Sequence, residues 1–277
     1  RDVAPSRGLG DVYKRQTPSG MKQPLRTLVL AVCCGLAAAC TQRPERLKLM
    51  SYNIRNGIGI DNIQDIGRIA RVILREAPDL VALQELDSAT LRVDGRYIPG
   101  ELGRMTGMHA TFGRAIGFAG GSYGVGLLSR TEPLAVRSIP LPGREEARVL
   151  LMAEFPDYTV CVTHLSLTPE DRHASLPLIL QATDTCRKPV LLAGDFNTGD
   201  AAAVLAGLGG GFRILSDTTR MTFPSDNPAV RIDYILGRGL PTSATVTESA
   251  VDHTATASDH CPLWVTLAWK RGKQPRK

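Results

Sequence analysis

The chain is organised by short apolar runs of strand character, each ending on a polar residue with chemistry to offer. LKLMSYNIRNG, PDLVALQELD, CVTHLSL, PVLLAGDFNTGD and RIDYILG followed by ASDHCPLWVTL are the clearest. A strand presents its side chains with little freedom. Asn53, Glu85, His164, Asp195, Asn197, Asp233, Asp259 and His260 are therefore placed to converge on one cleft. The set is acid, amide and imidazole, with no serine or cysteine in a nucleophile turn. Such donors suit one hard divalent cation on oxygen ligands, leaving imidazole and carboxylate to move protons.

Between these runs the pattern alternates. Strands are expected over 47–53, 80–83, 123–129, 134–139, 149–155, 158–165, 190–193, 232–236, 243–247 and 262–267. Helices are expected where Ile66, Ile69, Ala70, Ile73 and Leu74 form a stripe that stops at Pro78, then over 97–105, over 171–186 across Pro177, and over 200–208 before GLGGG. The result is an α+β fold of mixed sheets covered by helices. No linker interrupts it between 47 and 269, so those residues read as one domain.

Charge is unevenly distributed. The formal net charge is +6, but residues 1–46 hold eight Lys/Arg and three Asp/Glu, and 270–277 is a basic tail with five Lys/Arg. The body from 47 to 269 keeps 20 basic against 24 acidic residues, with Lys48 and Lys188 its only lysines. A protein that neutralises many phosphates along a duplex would carry a broad positive footprint, and this body lacks one.

Residues 1–20 stand upstream of any recognisable element and are set aside as a translation or assembly artefact. From Met21, with Lys22 and Arg26 ahead of the apolar stretch Leu28 to Ala39, the chain reads as a signal peptide over 21–39, too short for the ~20 residues of a membrane span. The stretch closes on Leu36-Ala37-Ala38-Ala39-Cys40, which resembles a bacterial lipobox. Lipidation of Cys40, with 40–46 as a tether, makes the protein an extracytoplasmic lipoprotein; plain cleavage at the same site makes it periplasmic or secreted. Cys161, Cys186 and Cys261 remain, and both a Cys161–Cys186 bridge and three small buried hydrophobes are open.

The ordered series of a strand ending in Asn, then QE, THL, GDFN, RIDYIL and SDHCP resembles the endonuclease/exonuclease/phosphatase superfamily over residues 47–267. That resemblance implies a four-layer α/β/β/α sandwich of two packed mixed sheets, as in deoxyribonuclease I, and a Mg²⁺-dependent phosphoesterase, with Mn²⁺ as a substitute. It implies metal ligation by Glu85, with help from Asn53 and Asp259. Asp195 is expected to activate or position water, Asn53, Asn197 and His164 to meet the phosphate, and Asp233 to orient His260 as base or phosphate-binding cation. Arg148 and Arg231 are basic candidates for phosphate, each with an ion-pair reading beside it. Asp195 and Asn197, alternating across Phe196, are expected to face the same way.

The expected partner is a phosphoester, small or lipidic, met by a monomer. DNA or RNA is a second substrate class, and a lipid-tethered binding module without catalysis is the reading from outside enzymology. The intact set of Glu85, Asp233 and His260 speaks against the last.

Overall fold

The computed structural model of the chain describes residues 45–269 apart from Gly210. The upstream segment 1–20, the signal peptide 21–39, Cys40, most of the 40–46 tether and the basic tail 270–277 lie outside the described residues.

The first sheet has six strands: β1 (Glu45–Asn53), β2 (Leu80–Ser88), β3 (His109–Phe118), β4 (Gly121–Ser129), β11 (Thr245–Val251) and β12 (Leu263–Trp269), in the order β11-β12-β1-β2-β4-β3. The second holds β5 (Ala135–Leu141), β6 (Arg148–Glu154), β7 (Thr159–His164), β8 (Val190–Asp195), β9 (Arg213–Ile214) and β10 (Asp233–Arg238), in the order β5-β6-β7-β8-β10-β9. One pair in each sheet is parallel, β1 with β2 and β7 with β8; the other pairs are antiparallel. Helices α1 (Ile66–Glu76) and α2 (Ile98–Thr106) cover the first sheet, while α3 (Pro169–Asp184) and α4 (Ala201–Leu208) cover the second.

The apolar runs are continuous because both faces of each sheet are buried. Leu49, Ala82, Leu151, Val162, Ala193 and Ile235 meet in the core between the sheets. Their chain neighbours Met50, Val81 and Leu83 face outward onto Ile69, Ile73 and Leu102, and Leu150, Cys161 and Leu192 onto Leu176, Ile179 and Val204. Three apolar layers thus hold four layers of secondary structure, the sandwich that the resemblance implies. Each fully buried Leu or Ile contributes about 1.5–3 kcal/mol.

Across the central layer β1 packs on β8 and β10, β2 on β7 and β8, and β4 on β6 and β7. The C-terminal ends of β1, β7 and β8 therefore meet at one end of the sandwich, together with the start of β10.

Some expectations are corrected. Leu74, expected in the apolar stripe of α1, is 53% exposed, and Val72 takes the buried place. That helix is capped by Asp65, whose carboxylate accepts the Arg68 N–H, and ends at Ala77 in the left-handed region before Pro78. Strand β3 escaped the sequence pattern because it is an edge strand, mostly half-buried or exposed. Strand β2 runs on to Ser88 instead of stopping at Leu83. Cys161, Cys186 and Cys261 are free thiols.

Leu49→Ala, emptying the central core, should cost about 2–5 kcal/mol, whereas Leu74→Ala should stay within about 0.5 kcal/mol. Urea unfolding of the two variants measures both; equal losses would contradict this burial pattern.

Candidate active site

One amide gathers the site. Asn53, the last residue of β1 and 1% exposed, donates through Nδ2 to Glu85 Oε1 at 3.0 Å and to Asp195 Oδ2 at 3.1 Å, with His260 Nε2 at 3.5 Å. Asn53 Oδ1 accepts the Arg55 N–H and its carbonyl accepts the Ser258 hydroxyl, so the side chain cannot swing away. Asp195 belongs to the opposite sheet, and the amide therefore bridges the two.

Glu85 is not at a strand end. The register between β2 and β4 slips between Leu83 and Leu86, and Glu85 sits in this bulge at φ 58°. A bulge inserts an extra residue and re-aims its side chain. Leu86 consequently returns to the same helix-covered face as Leu83. A non-glycine residue held in the left-handed region is a local cost that sites of function often carry.

His164 ends β7 in register with Asp195 on β8, its Nε2 3.5 Å from Asp195 Oδ2. Burial, with the Arg148 cation and His260 adding to it, holds the His164 imidazole well below its usual range, so the ring is neutral. Burial and the Asp233 charge push the Asp195 carboxyl above the usual carboxylate range.

Asn197 departs from the expected alternation. The strand ends at Asp195, whose Oδ1 accepts the Asn197 N–H at 2.8 Å, and Asn197 turns to φ 52°. This is an Asx turn. Its Nδ2 donates to the Leu165 carbonyl at 2.8 Å, stitching the ends of β7 and β8 together. Phe196 packs edge-on against Tyr234 on the far side.

Asp233 and His260 form the expected pair, Oδ2 to Nδ1 at 2.9 Å, both buried. Nε2 is left facing Asn53 and Asp195, the latter at 3.7 Å. Burial alone would lower the imidazole; the charge and hydrogen bond of Asp233, then Asp195 and Asp259, outweigh it and push His260 up to about 10. The ring is an imidazolium at neutral pH in this arrangement.

Asp259 is half-exposed, with Oδ2 3.5 Å from Arg55 Nε. Arg148 is buried and its guanidinium is held by Glu145 and Glu146, but it lines a small cavity with His164 and Tyr123. Arg231 lies apart from the phosphate chemistry: it stacks on Tyr234 and donates to the Asp217 carbonyl.

Ser258 and Glu145 were missed in the sequence. Ser258 stood inside the SDHCP motif and could have been found there. Glu145, which accepts from Ser166, Thr168 and the Leu167 N–H, carries no sequence signal.

The donors fit a hard divalent cation. Two carboxylates, Glu85 and Asp195, converge on a single neutral amide, and the surrounding donors are oxygen and imidazole without sulfur. Among the described residues Asp195, Asp233 and His260 also place ligand atoms within 4.8 Å of one another. Because Asp233 and His260 are already bonded to each other, Glu85 is the freer carboxylate for an ion.

A family model described as Endonuclease/Exonuclease/phosphatase family matches residues 50–260. Several solved structures have the same fold. An endonuclease/exonuclease/phosphatase from Beutenbergia cavernae DSM 12333 is 23% identical with a TM-score of 0.63, over 82% of this chain and 72% of that one. A mannosyl-6-phosphatase from Bacteroides thetaiotaomicron VPI-5482 is 19% identical, TM-score 0.61, over 80% and 99%. The D. rerio protein TDP2 complexed with a single-strand DNA product is 23% identical, TM-score 0.61, over 80% and 99%. No curated protein matches.

Asp233→Asn keeps the size of the side chain but removes the charge that favours the imidazolium. The His260 ring should then titrate well below about 10, as followed by NMR of its ring protons without added metal. An unchanged midpoint would sink the account of this pair.

Proposed function

The chain belongs to the Endonuclease/Exonuclease/phosphatase family, and on that premise we propose that its cleft hydrolyses a phosphoester by attack of water on phosphorus with Mg²⁺, or Mn²⁺ in its place, as cofactor. The observation that supports this reading is the meeting of Glu85, Asp195 and His260 around one Asn53 amide, with His164 and Asp233 one bond further out.

Glu85, with Asn53 and Asp259, would hold the cation, which when bound supplies charge stabilisation at a phosphoryl oxygen. His260, kept cationic by Asp233, presents Nε2–H to a second phosphate oxygen. The raised Asp195 carboxyl orients the attacking water and is basic enough to take its proton. Neutral His164 donates a hydrogen bond to the phosphate on the other side, and the departing alcohol takes its proton from the His260 imidazolium, the protonated ring of the cleft. Asn197 acts at one remove, by fixing the ends of β7 and β8.

The substrate class we favour is a small phosphoester whose alcohol is otherwise uncharged. Arginines around the cleft are already matched: Arg55 by Asp259, Arg92 by Asp87, and Arg148 by Glu145 and Glu146. Little positive charge is left over for a train of further phosphates. Nucleic acid is the second reading, motivated by the likeness in fold to the D. rerio protein with its single-strand DNA product. We further propose a monomer that works outside the cytoplasm, tethered through Cys40; the lipobox-like Leu36 to Cys40 supports this, and mass spectrometry of the membrane fraction tests it.

Purified protein with Mg²⁺ should hydrolyse bis-p-nitrophenyl phosphate or p-nitrophenyl phosphate, and lose that activity in EDTA. Glu85→Ala should fold and lose nearly all turnover; full activity in EDTA would refute the metal reading. Turnover on a small diester should be almost independent of salt between 50 and 200 mM, conditions over which a polyphosphate binder loses about 10³-fold or more in affinity. Faster, salt-sensitive cleavage of DNA would instead favour the nuclease.

A further inference from the structure

The small cavity beside His164 has two unlike sides. Glu146 and Arg148 line one of them and are paired with each other, so that side is closed on itself. Tyr123 and Val125 of the β3–β4 hairpin line the other. In that hairpin Ile116 stands opposite Tyr123 and Phe118 opposite Gly121. Phe118, two residues beyond Ile116, therefore lies on the same face as Tyr123 and one step further from the core. The two ring centroids are 6.2 Å apart. Tyr123 is buried, whereas Phe118 keeps 39% of its surface exposed. Leu91, 76% exposed, adjoins this hairpin, its N–H donating to the Ala119 carbonyl at 2.8 Å.

The rings are braced. The Arg92 guanidinium lies over both, 4.6 Å from the centre of Phe118 and 5.1 Å from that of Tyr123. It is pinned in turn by Asp87 Oδ2 at 2.8 Å and Asn56 Oδ1 at 2.6 Å. Because Asp87 is fully buried and matches the cation, the wall offers no free charge to a second phosphate. Rings held in this way lose little conformational freedom when a flat ligand settles on them.

Strand order assigns this wall to one side of the phosphate. Strand β8 lies between β7 and β10. Asp195 at its end has His164 of β7 at 3.5 Å and His260, held by Asp233 of β10, at 3.7 Å. The imidazolium that protonates the departing alcohol stands on the β10 side, so an ester group next to His164 is one that stays on phosphorus. From this we infer that Phe118 is a specificity-determining residue: with Leu91 beside it, it stacks on an uncharged ring in the retained ester group, and the substrate is a phosphodiester. A monoester would leave the wall empty. The inference rests on the phosphoesterase reading. Hydrolysis adds water across one P–O bond, one arm departs as its alcohol, and the ring-bearing arm is released as a phosphomonoester.

Three substrates with the same departing group test this: p-nitrophenyl phenyl phosphate, p-nitrophenyl methyl phosphate and p-nitrophenyl phosphate. With Mg²⁺ the phenyl diester should exceed the methyl diester about tenfold in kcat/KM, the scale of one stacked ring, and should also exceed the monoester, giving p-nitrophenol and phenyl phosphate. The advantage should lie in KM, because contacts away from the reacting centre hold ground and transition states alike. Phe118→Ala should bring the two diesters to parity. Leu167→Ala, which trims an exposed apolar side chain on the loop after β7, should keep the preference. Equal values for the two diesters in the wild type, a preference that survives Phe118→Ala, or faster turnover of the monoester would overturn the inference. A wild type that hydrolyses none of the three would defeat the phosphoesterase reading instead, and binding then decides. Diphenyl phosphate, and not dimethyl phosphate, should shift the Phe118 ring protons in NMR spectra; ring signals that stay in place would count against the wall.

Discussion

The Asn53 side chain is the contact on which the site depends. Each sheet is held by its own ladder, and the sheets and helices are held to one another by apolar layers whose attraction carries no direction. The hydrogen bond from Asn53 Nδ2 to Asp195 Oδ2 fixes one sheet against the other at the one end where it matters. The same amide reaches Glu85 and lies beside His260, so groups contributed by β1, β2, β8 and the loop before β12 share a single reference point. Burial makes such a bond worth more than it would be in water, and costlier to lose.

What the sequence disclosed and what it hid divide along physical lines. Continuous apolar runs identified the buried strands, and the polar residues that ended them marked the cleft, because burial on two faces leaves few other places for acid or imidazole. Asp233 lies against His260 as expected, and the bond from Asn53 to Asp195 joins two residues that were expected only to share a cleft. The orientation of Glu85 was not legible, since a bulge depends on the partner strand β4 and leaves no period of its own. Strand periodicity stops at Asp195, which caps the turn that follows, so it did not name the Leu165 carbonyl as the partner of the Asn197 amide. Edge strand β3 is half-solvated and lacks the apolar signature that identified its neighbours.

Charge inside the cleft is arranged by neighbours more than by residue type. Two histidines within reach of one aspartate take opposite states: His260 is cationic because Asp233 lies along its ring, and His164 is neutral because it is buried near Arg148. The division of labour proposed for them follows from that difference.

The order of strands in the first sheet sets when the cleft can exist. Strand β1 lies between β2 and β12, so the first strand of the domain waits for the last to complete its pairing, and His260 arrives only with the segment that leads into β12. A nascent chain still short of that strand has Asn53 and Glu85 but no imidazolium between the sheets. The site is therefore assembled by the pairing of the first strand with the last, and anything that frees β12 from β1 takes His260 out of the cleft without touching a residue in it.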